Sequence, residues 1–296
     1  MSSSPSRADD SPGEVIVDWY AGAARDLPWR RPGVDAWAVL VSEVMLQQTP
    51  VARVEPVWRE WMDRWPTPAA LAGVSPAEVI RAWGKLGYPR RALRLREAAV
   101  AVVDRHAGVV PDDVAALEAL PGVGTYTARA VACFGYGHPQ PVVDTNVRRV
   151  VARLVHGRAE AGNARAADLA DIAALTPPDP VRAARFSVAA MELGALVCVA
   201  GPPRCGACPV RDRCAWVLAG SPPHDGPPRR VQKFAGTDRQ VRGRLLDVLR
   251  AAHAPVPAVA LDAVWDDAVQ RSRCLGSLLT DGLVEQTDDG LFTLPA

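Results

Sequence analysis

Apolar residues along most of this chain recur at the three-to-four spacing of helices, and strand-like alternation is scarce until near the C-terminal end. From about Glu14 to Leu218 the pattern is helical almost throughout. "AWAVLVSEVMLQQT" (36–49) is strongly apolar, with Glu43 in its middle. "SPAEVIRAW" carries its own start signal: Ser75 as N-cap, Pro76 at the first helical position and Glu78 closing a capping box. "PDDVAALEAL" and "GTYTARAVACFGYG" predict two short helices joined by a turn, and "DTNVRRVVARLVHG" predicts another with Asp144 as its N-cap. Beyond a Pro/Gly-rich stretch lie three short helical patterns, "VRGRLLDVLRAA", "VALDAVW" and "AVQRSRCLGSLLTDG". "LVEQTDDGLFTL" then predicts two strands turning at Asp289-Gly290. The expected organisation is a disordered leader (1–12), a helical domain (13–219), a linker (220–238) and a small winged-helix-like α/β unit (239–296).

Composition adds a boundary to this picture. Hydrophobic content of 49% and charged content of 23% are those of an ordinary globular chain. No apolar run approaches the ~18 residues that a membrane span needs, and the N-terminal stretch does not read as a signal peptide. A cytoplasmic protein without membrane contact is expected. Net charge is only +1, but it is unevenly spread. Residues 251–296 hold seven acids against Arg271 and Arg273, so the rest of the chain is net positive, a modest bias towards polyanions. The acidic end itself is expected to grip phosphates weakly, and to pack against the body or a partner protein. Lys85 and Lys233 are the only lysines.

The turn in "ALPGVGTYTARA" is where a ligand first enters. Pro121 ends one helix, Gly122 and Gly124 flank Val123 in a tight turn, and the next helix presents its free N–H groups and dipole outward. That arrangement holds an anion such as a backbone phosphate, although glycine turns also join helices with no ligand at all. Four of the six cysteines fall within 17 residues, as Cys198, Cys205, Cys208 and Cys214, in the spacing C-x6-C-x2-C-x5-C. Four thiolates without histidine suit a [4Fe–4S] cluster or a structural zinc, and spacing alone does not choose. Cys133 and Cys274 lie outside that pattern.

Two carboxylates stand in opposite surroundings. Glu43, inside an apolar helix, is expected to be desolvated and to favour its protonated form. Asp144, at a helix start, is expected to favour its anion. Such a pair supplies an acid and an ionised stabiliser, the combination that cleaves glycosidic bonds.

Together "SEVMLQQT", "LPGVG", "VDTNV" and the cysteine knot resemble the helix–hairpin–helix DNA glycosylases with an iron–sulfur cluster, and most of all the MutY-type adenine glycosylases. The resemblance covers roughly residues 14–218. It implies a mostly α, two-lobed fold: a six-helix barrel with the hairpin, a second lobe joining the N-terminal stretch to the cluster region, and an active site between them. It implies a [4Fe–4S] cluster on the four cysteines and duplex DNA with A:8-oxoguanine or A:G mispairs as partner, bound by a monomer located with the nucleoid. Carried onto this chain, Glu43 protonates the departing adenine, Asp144 stabilises the oxocarbenium-like sugar, and Asn146 helps orient the site. Tyr126 takes the place of the lysine with which the related endonuclease III group forms a Schiff base, so the strand is expected to stay intact. Trp29, Arg30, Leu46 and Val51 would line the pocket for the flipped base. Gln48 and Tyr88 would wedge the duplex beside the partner base, and Gly122, Val123 and Gly124 would hold phosphate. Val188 departs from the family, standing where a polar contact to adenine is found. So does the C-terminal end, which lacks the length and pattern of a Nudix-like domain. The rival readings are a thymine or uracil mismatch glycosylase of the same superfamily and a non-catalytic iron–sulfur DNA-binding regulator.

Overall fold

The computed structural model of the chain describes residues 11–224, 226 and 234–296. Most of the expected leader, and positions 225 and 227–233 of the expected linker, lie outside the described residues.

Helix starts follow local chemistry. Ser11 accepts from the Glu14 N–H and begins α1 (Pro12–Ala23), which is followed by α2 (Ala36–Leu46), α3 (Val51–Arg64) and α4 (Pro68–Ala72). Ser75 accepts from the Glu78 N–H at 3.3 Å and Pro76 opens α5 (Pro76–Trp83), as the sequence predicts. Next come α6 (Arg90–His106), α7 (Val114–Glu118), α8 (Thr125–Tyr136), α9 (Thr145–Leu154) and α10 (Ala167–Leu175). Then follow α11 (Pro180–Leu196), α12 (Ala215–Leu218), α13 (Asp238–Ala251), α14 (Ala258–Asp262) and α15 (Ala268–Thr280). The chain closes with an antiparallel pair, β1 (Glu285–Gln286) and β2 (Phe292–Thr293), in which Glu285 pairs with Thr293. No described helix is long and apolar enough to cross a membrane.

Two compact units result. The first draws on the described residues of Met1–Leu40, Asp112–Glu118 and Gly124–Pro227. In it α11 packs on α1 and α9, which brings the N-terminal helix onto the cysteine-bearing end of the domain. Its core holds Ile16, Val147, Val150, Phe186 and Leu193, all nearly sealed from solvent. At Gly13 the backbone runs against Leu175; a Cβ there would stand 1.9 Å from that carbonyl oxygen. Glycine is therefore required.

The second unit contains Val41–Pro111, Ala119–Val123 and the described residues beyond Pro228. Here α6 packs on α4 and α5, and α13 packs on α15 and on α5. The small C-terminal element has the expected form, three helices followed by a hairpin. Its core of Val241, Leu245, Leu278 and Leu283 also contains Ile80 of α5, which is fully buried. Removing the C-terminal element would expose that isoleucine to water.

Candidate active site

Glu43 lies in α2 among Leu40, Val41, Val44 and Met45, and only 5% of it is exposed. The apolar surroundings expected from the sequence are present. Leu46 is the last residue of α2 and Val51 the first of α3; both are half-buried. Between them Gln48 is exposed and has φ +54, a left-handed backbone that few non-glycine residues adopt. Tyr88 shares this feature, with φ +47, and is 40% exposed. Both residues expected at the DNA wedge are thus held in strained conformations, which persist only where neighbours fix them.

The neighbour is Arg91. Its Nη1 donates to the carbonyls of Val44 (2.7 Å), Met45 (3.0 Å) and Gln47 (2.6 Å). These are groups that the end of α2 leaves without partners. Its Nη2 donates to Thr49 Oγ1 and to the Gly87 carbonyl, both at 3.0 Å. One guanidinium therefore ties the Gln48 turn to the Tyr88 loop. Burial lowers the Arg91 pKa to about 10, which still leaves it charged at neutral pH.

In the hairpin Gly122 has φ +75, and a Cβ there would stand 2.7 Å from Arg94 Cβ. Leu120 accepts from the Val123 N–H at 3.2 Å, closing the turn, and both side chains are buried. Gly124 is the N-cap of α8, with no side chain bonded to the helix start and open space where a Cβ would be. The N-cap residue itself offers no side chain to the start of α8.

Asp144 starts α9. Its Oδ1 accepts from the Val147 N–H and its Oδ2 from Asn146 Nδ2, each at 2.7 Å. Arg149 then holds Asn146: one Nη2 donates to Asn146 Oδ1 and to the Gly194 carbonyl, both at 2.7 Å, while Nε donates to the Cys198 carbonyl at 2.6 Å. Gly194 is where α11 touches α9, since a Cβ there would lie 2.7 Å from Asn146 Cβ. The electrostatics correct one expectation. Burial pushes the Asp144 carboxyl above the usual aspartate range, outweighing the Val147 and Asn146 hydrogen bonds and the Arg149 charge. The helix start still favours the anion, and burial acts against it.

Tyr126, half-buried in α8, packs against the cluster of Ala130, Cys133 and Val142. Trp29 is 4% exposed, and Val188 is half-buried in α11. Arg30 is committed to Glu192, with Nη1 2.7 Å from Oε2. Arg25 holds the same carboxylate through Nε, Nη2 and its own backbone N–H. Burial acts against the Glu192 charge, but the bonds from Arg25 and Arg30 win and bring its pKa down to about 2. Of the two lysines, Lys85 is 84% exposed with its Nζ 3.8 Å from Asp247. Lys233 lies outside the described residues.

Cys198, Cys205, Cys208 and Cys214 line one small cavity with Arg153, Arg211 and Trp216, and all four are free thiols. Arg153 ties this loop to α9, donating to the Val199 carbonyl at 2.9 Å and lying 3.4 Å from Cys198 Sγ. Burial raises the Cys198 thiol and pushes Cys208 up to about 11. A tetrahedral ion bonded at ~2.3 Å needs sulfurs about 3.8 Å apart. Among the described residues no group of three or more His, Cys, Asp or Glu side chains is arranged to hold a metal ion.

Three residues of consequence, Arg91, Arg149 and Glu192, do not stand out in the sequence. Only Arg149 leaves a signal there, three positions after Asn146 on the same helix.

A buried glutamate, a helical turn with two glycines and a capped aspartate, in that order along the chain, are the features of a base-excision DNA repair protein. Residues 41–175 match the HhH-GPD superfamily of base excision DNA repair proteins, and the chain belongs to that family. It is 62% identical to an adenine DNA glycosylase of Mycobacterium tuberculosis, over 95% of this chain and 92% of the relative. It is 61% identical to the adenine DNA glycosylase of Mycolicibacterium smegmatis, over 96% of each. Among solved structures it resembles a thermostable thymine-DNA glycosylase, with a TM-score of 0.63 and 26% identity, covering 70% of this chain and 95% of that one.

Proposed function

We propose that this chain is an adenine DNA glycosylase that hydrolyses the N-glycosidic bond of adenine opposite 8-oxoguanine or guanine and leaves the strand intact. The observation that carries the reading is Glu43, a carboxyl held 5% exposed within an apolar helix in a chain so similar to adenine glycosylases. A carboxyl held away from water is placed to give a proton to a ring nitrogen of the flipped adenine. As the C1′–N9 bond breaks, its electron pair leaves with the base and positive charge develops on the sugar. Asp144 supplies the carboxylate that meets that charge, with the Val147 and Asn146 hydrogen bonds and the Arg149 charge opposing the effect of its burial. Its burial strengthens the attraction, and Asn146 and the Val147 N–H fix where the carboxylate points. Water then adds at C1′ and loses a proton.

Tyr126 offers no amine for a Schiff base, and Lys85 is exposed in a loop of the second unit. The product is therefore an abasic strand that breaks only after alkali or heat. Borohydride trapping of a covalent protein–DNA adduct, in yield matching turnover, would contradict this. The deciding experiment compares single-turnover base release from duplexes with A opposite 8-oxoguanine, A opposite guanine and T opposite guanine. Release confined to the third would favour the thymine reading, for which the structural likeness speaks.

Cys198, Cys205, Cys208 and Cys214 would hold a [4Fe–4S] cluster, which supplies structure and surface charge rather than reaction chemistry. The shared cavity of the four thiols supports a common ligand, and the resemblance to iron–sulfur glycosylases favours a cluster over zinc. Protein purified without oxygen is expected to be brown and to carry about one cluster per chain. One zinc and no iron would overturn the assignment.

A further inference from the structure

A cleft of about 750 Å³ opens in the second unit between α13 and the loop Gly84–Pro89. Six cations line it, Arg53, Lys85, Arg239, Arg242, Arg244 and Arg250, against the single carboxylate of Asp247. Asp247 is already shared, 3.2 Å from Arg250 and 3.8 Å from Lys85, and Arg242 is paired with Asp281 at 2.6 Å. The remaining three guanidinium groups meet no carboxylate among the described residues. Arg53 donates to the Lys85 carbonyl. Arg239 lies 4.5 Å over the Tyr88 ring with Nη1 3.3 Å from its hydroxyl. Arg244 lies 5.1 Å over the Trp265 ring and donates to the Val264 carbonyl.

Unneutralised guanidinium groups around one cleft repel one another and draw in an anion. The cleft is far larger than one phosphate ion. Tyr88 and Phe234, 40% and 58% exposed, bring aromatic surface to the same walls. Guanidinium groups without carboxylate partners are the side chains that grip the backbone phosphates of duplex DNA. The acidity of residues 251–296 conceals this, because the arginines of α13 come just before that stretch.

We propose that this cleft binds backbone phosphates of duplex DNA beside Tyr88, so that the short C-terminal element extends the DNA-binding surface. The inference rests on the repair-glycosylase reading and gives α13 a part in it. Arg239 is the positioning residue for the Tyr88 ring as well as a phosphate contact.

The test uses the full chain and a labelled duplex with a reduced abasic-site analogue, which is bound without turnover. Affinity is read by fluorescence anisotropy across a salt series. Replacing Arg239 and Arg244 together by glutamine is expected to flatten the slope of log K against log salt by about 1.8, at about 0.9 for each phosphate no longer neutralised. The charge-keeping pair Arg239→Lys and Arg244→Lys is expected to retain the slope. Should the glutamine pair melt early, the single variants decide, each expected to flatten the slope by about 0.9. An unchanged slope in a folded glutamine variant overturns the proposal. So does binding of inorganic phosphate in the cleft that the variants abolish while the DNA slope stays the same. Failure of the wild-type chain to release adenine would instead overturn the function proposed above and leave this binding result standing.

Discussion

Glu43→Gln is expected to slow single-turnover adenine release by about 10²-fold or more while leaving duplex binding in place. Glutamine keeps the size and hydrogen-bonding capacity of the side chain but has no acidic proton to give. Because Glu43 is 5% exposed, solvent acid is poorly placed to stand in for it. Asp144→Asn is the companion variant. It preserves an oxygen for the Val147 N–H and removes the charge opposed to the developing cation, with a loss of about 10²–10³-fold expected. Near-normal release by Glu43→Gln, measured with enzyme in excess over an A:8-oxoguanine duplex, would remove Glu43 from the proton-donor role.

The second large effect falls on stability. Glu192 has no exposed side-chain surface and is held by two arginines, so Glu192→Gln leaves two guanidinium groups facing a neutral amide. Breaking a buried ion pair from one side costs about 3–5 kcal/mol. The pH dependence follows from the sign of the shift. The carboxyl's pKa falls from 4.5 to about 2 on folding, so its contribution is complete above pH 4.5 and is lost as pH drops towards about 2. That difference corresponds to about 3 kcal/mol. Urea unfolding of wild type and variant at pH 7 and at pH 3 checks this. The gap between them should narrow at the lower pH, and a constant gap would show that the loss is one of packing alone.

The parts of this protein that are legible in the sequence are those whose causes are local. Ser75, Pro76 and Glu78 start a helix by themselves, the two glycines make the hairpin turn, and the apolar run around Glu43 implies its burial. The parts that stay hidden depend on partners far along the chain. Glu192 is one carboxylate on a long helix, and its arginines lie 167 and 162 residues away. Arg91 stands in "RRALRLRE", where nothing separates the arginine that reaches the Gln47 carbonyl from those that face solvent. The charge preference of Asp144 escapes the sequence for a related reason. Its cap bonds can be read from "DTNV", but the burial that outweighs them is a property of the folded body.

Arg149 gives α9 an engineering constraint. Its guanidinium joins Asn146, the Gly194 carbonyl and the Cys198 carbonyl, so the aspartate's neighbour and the first cysteine of the knot share one buried cation. A redesign that deletes the cysteine loop would strand that cation without its acceptor at Cys198. Substituting the cysteines alone keeps that backbone carbonyl in place, whereas deleting the loop removes it. The minimal graft is larger: an apolar residue at 149, a new partner for the Asn146 amide, and a replacement segment that still passes over Gly194, where a Cβ would strike Asn146. Loop and helix can be exchanged between relatives only as one cassette.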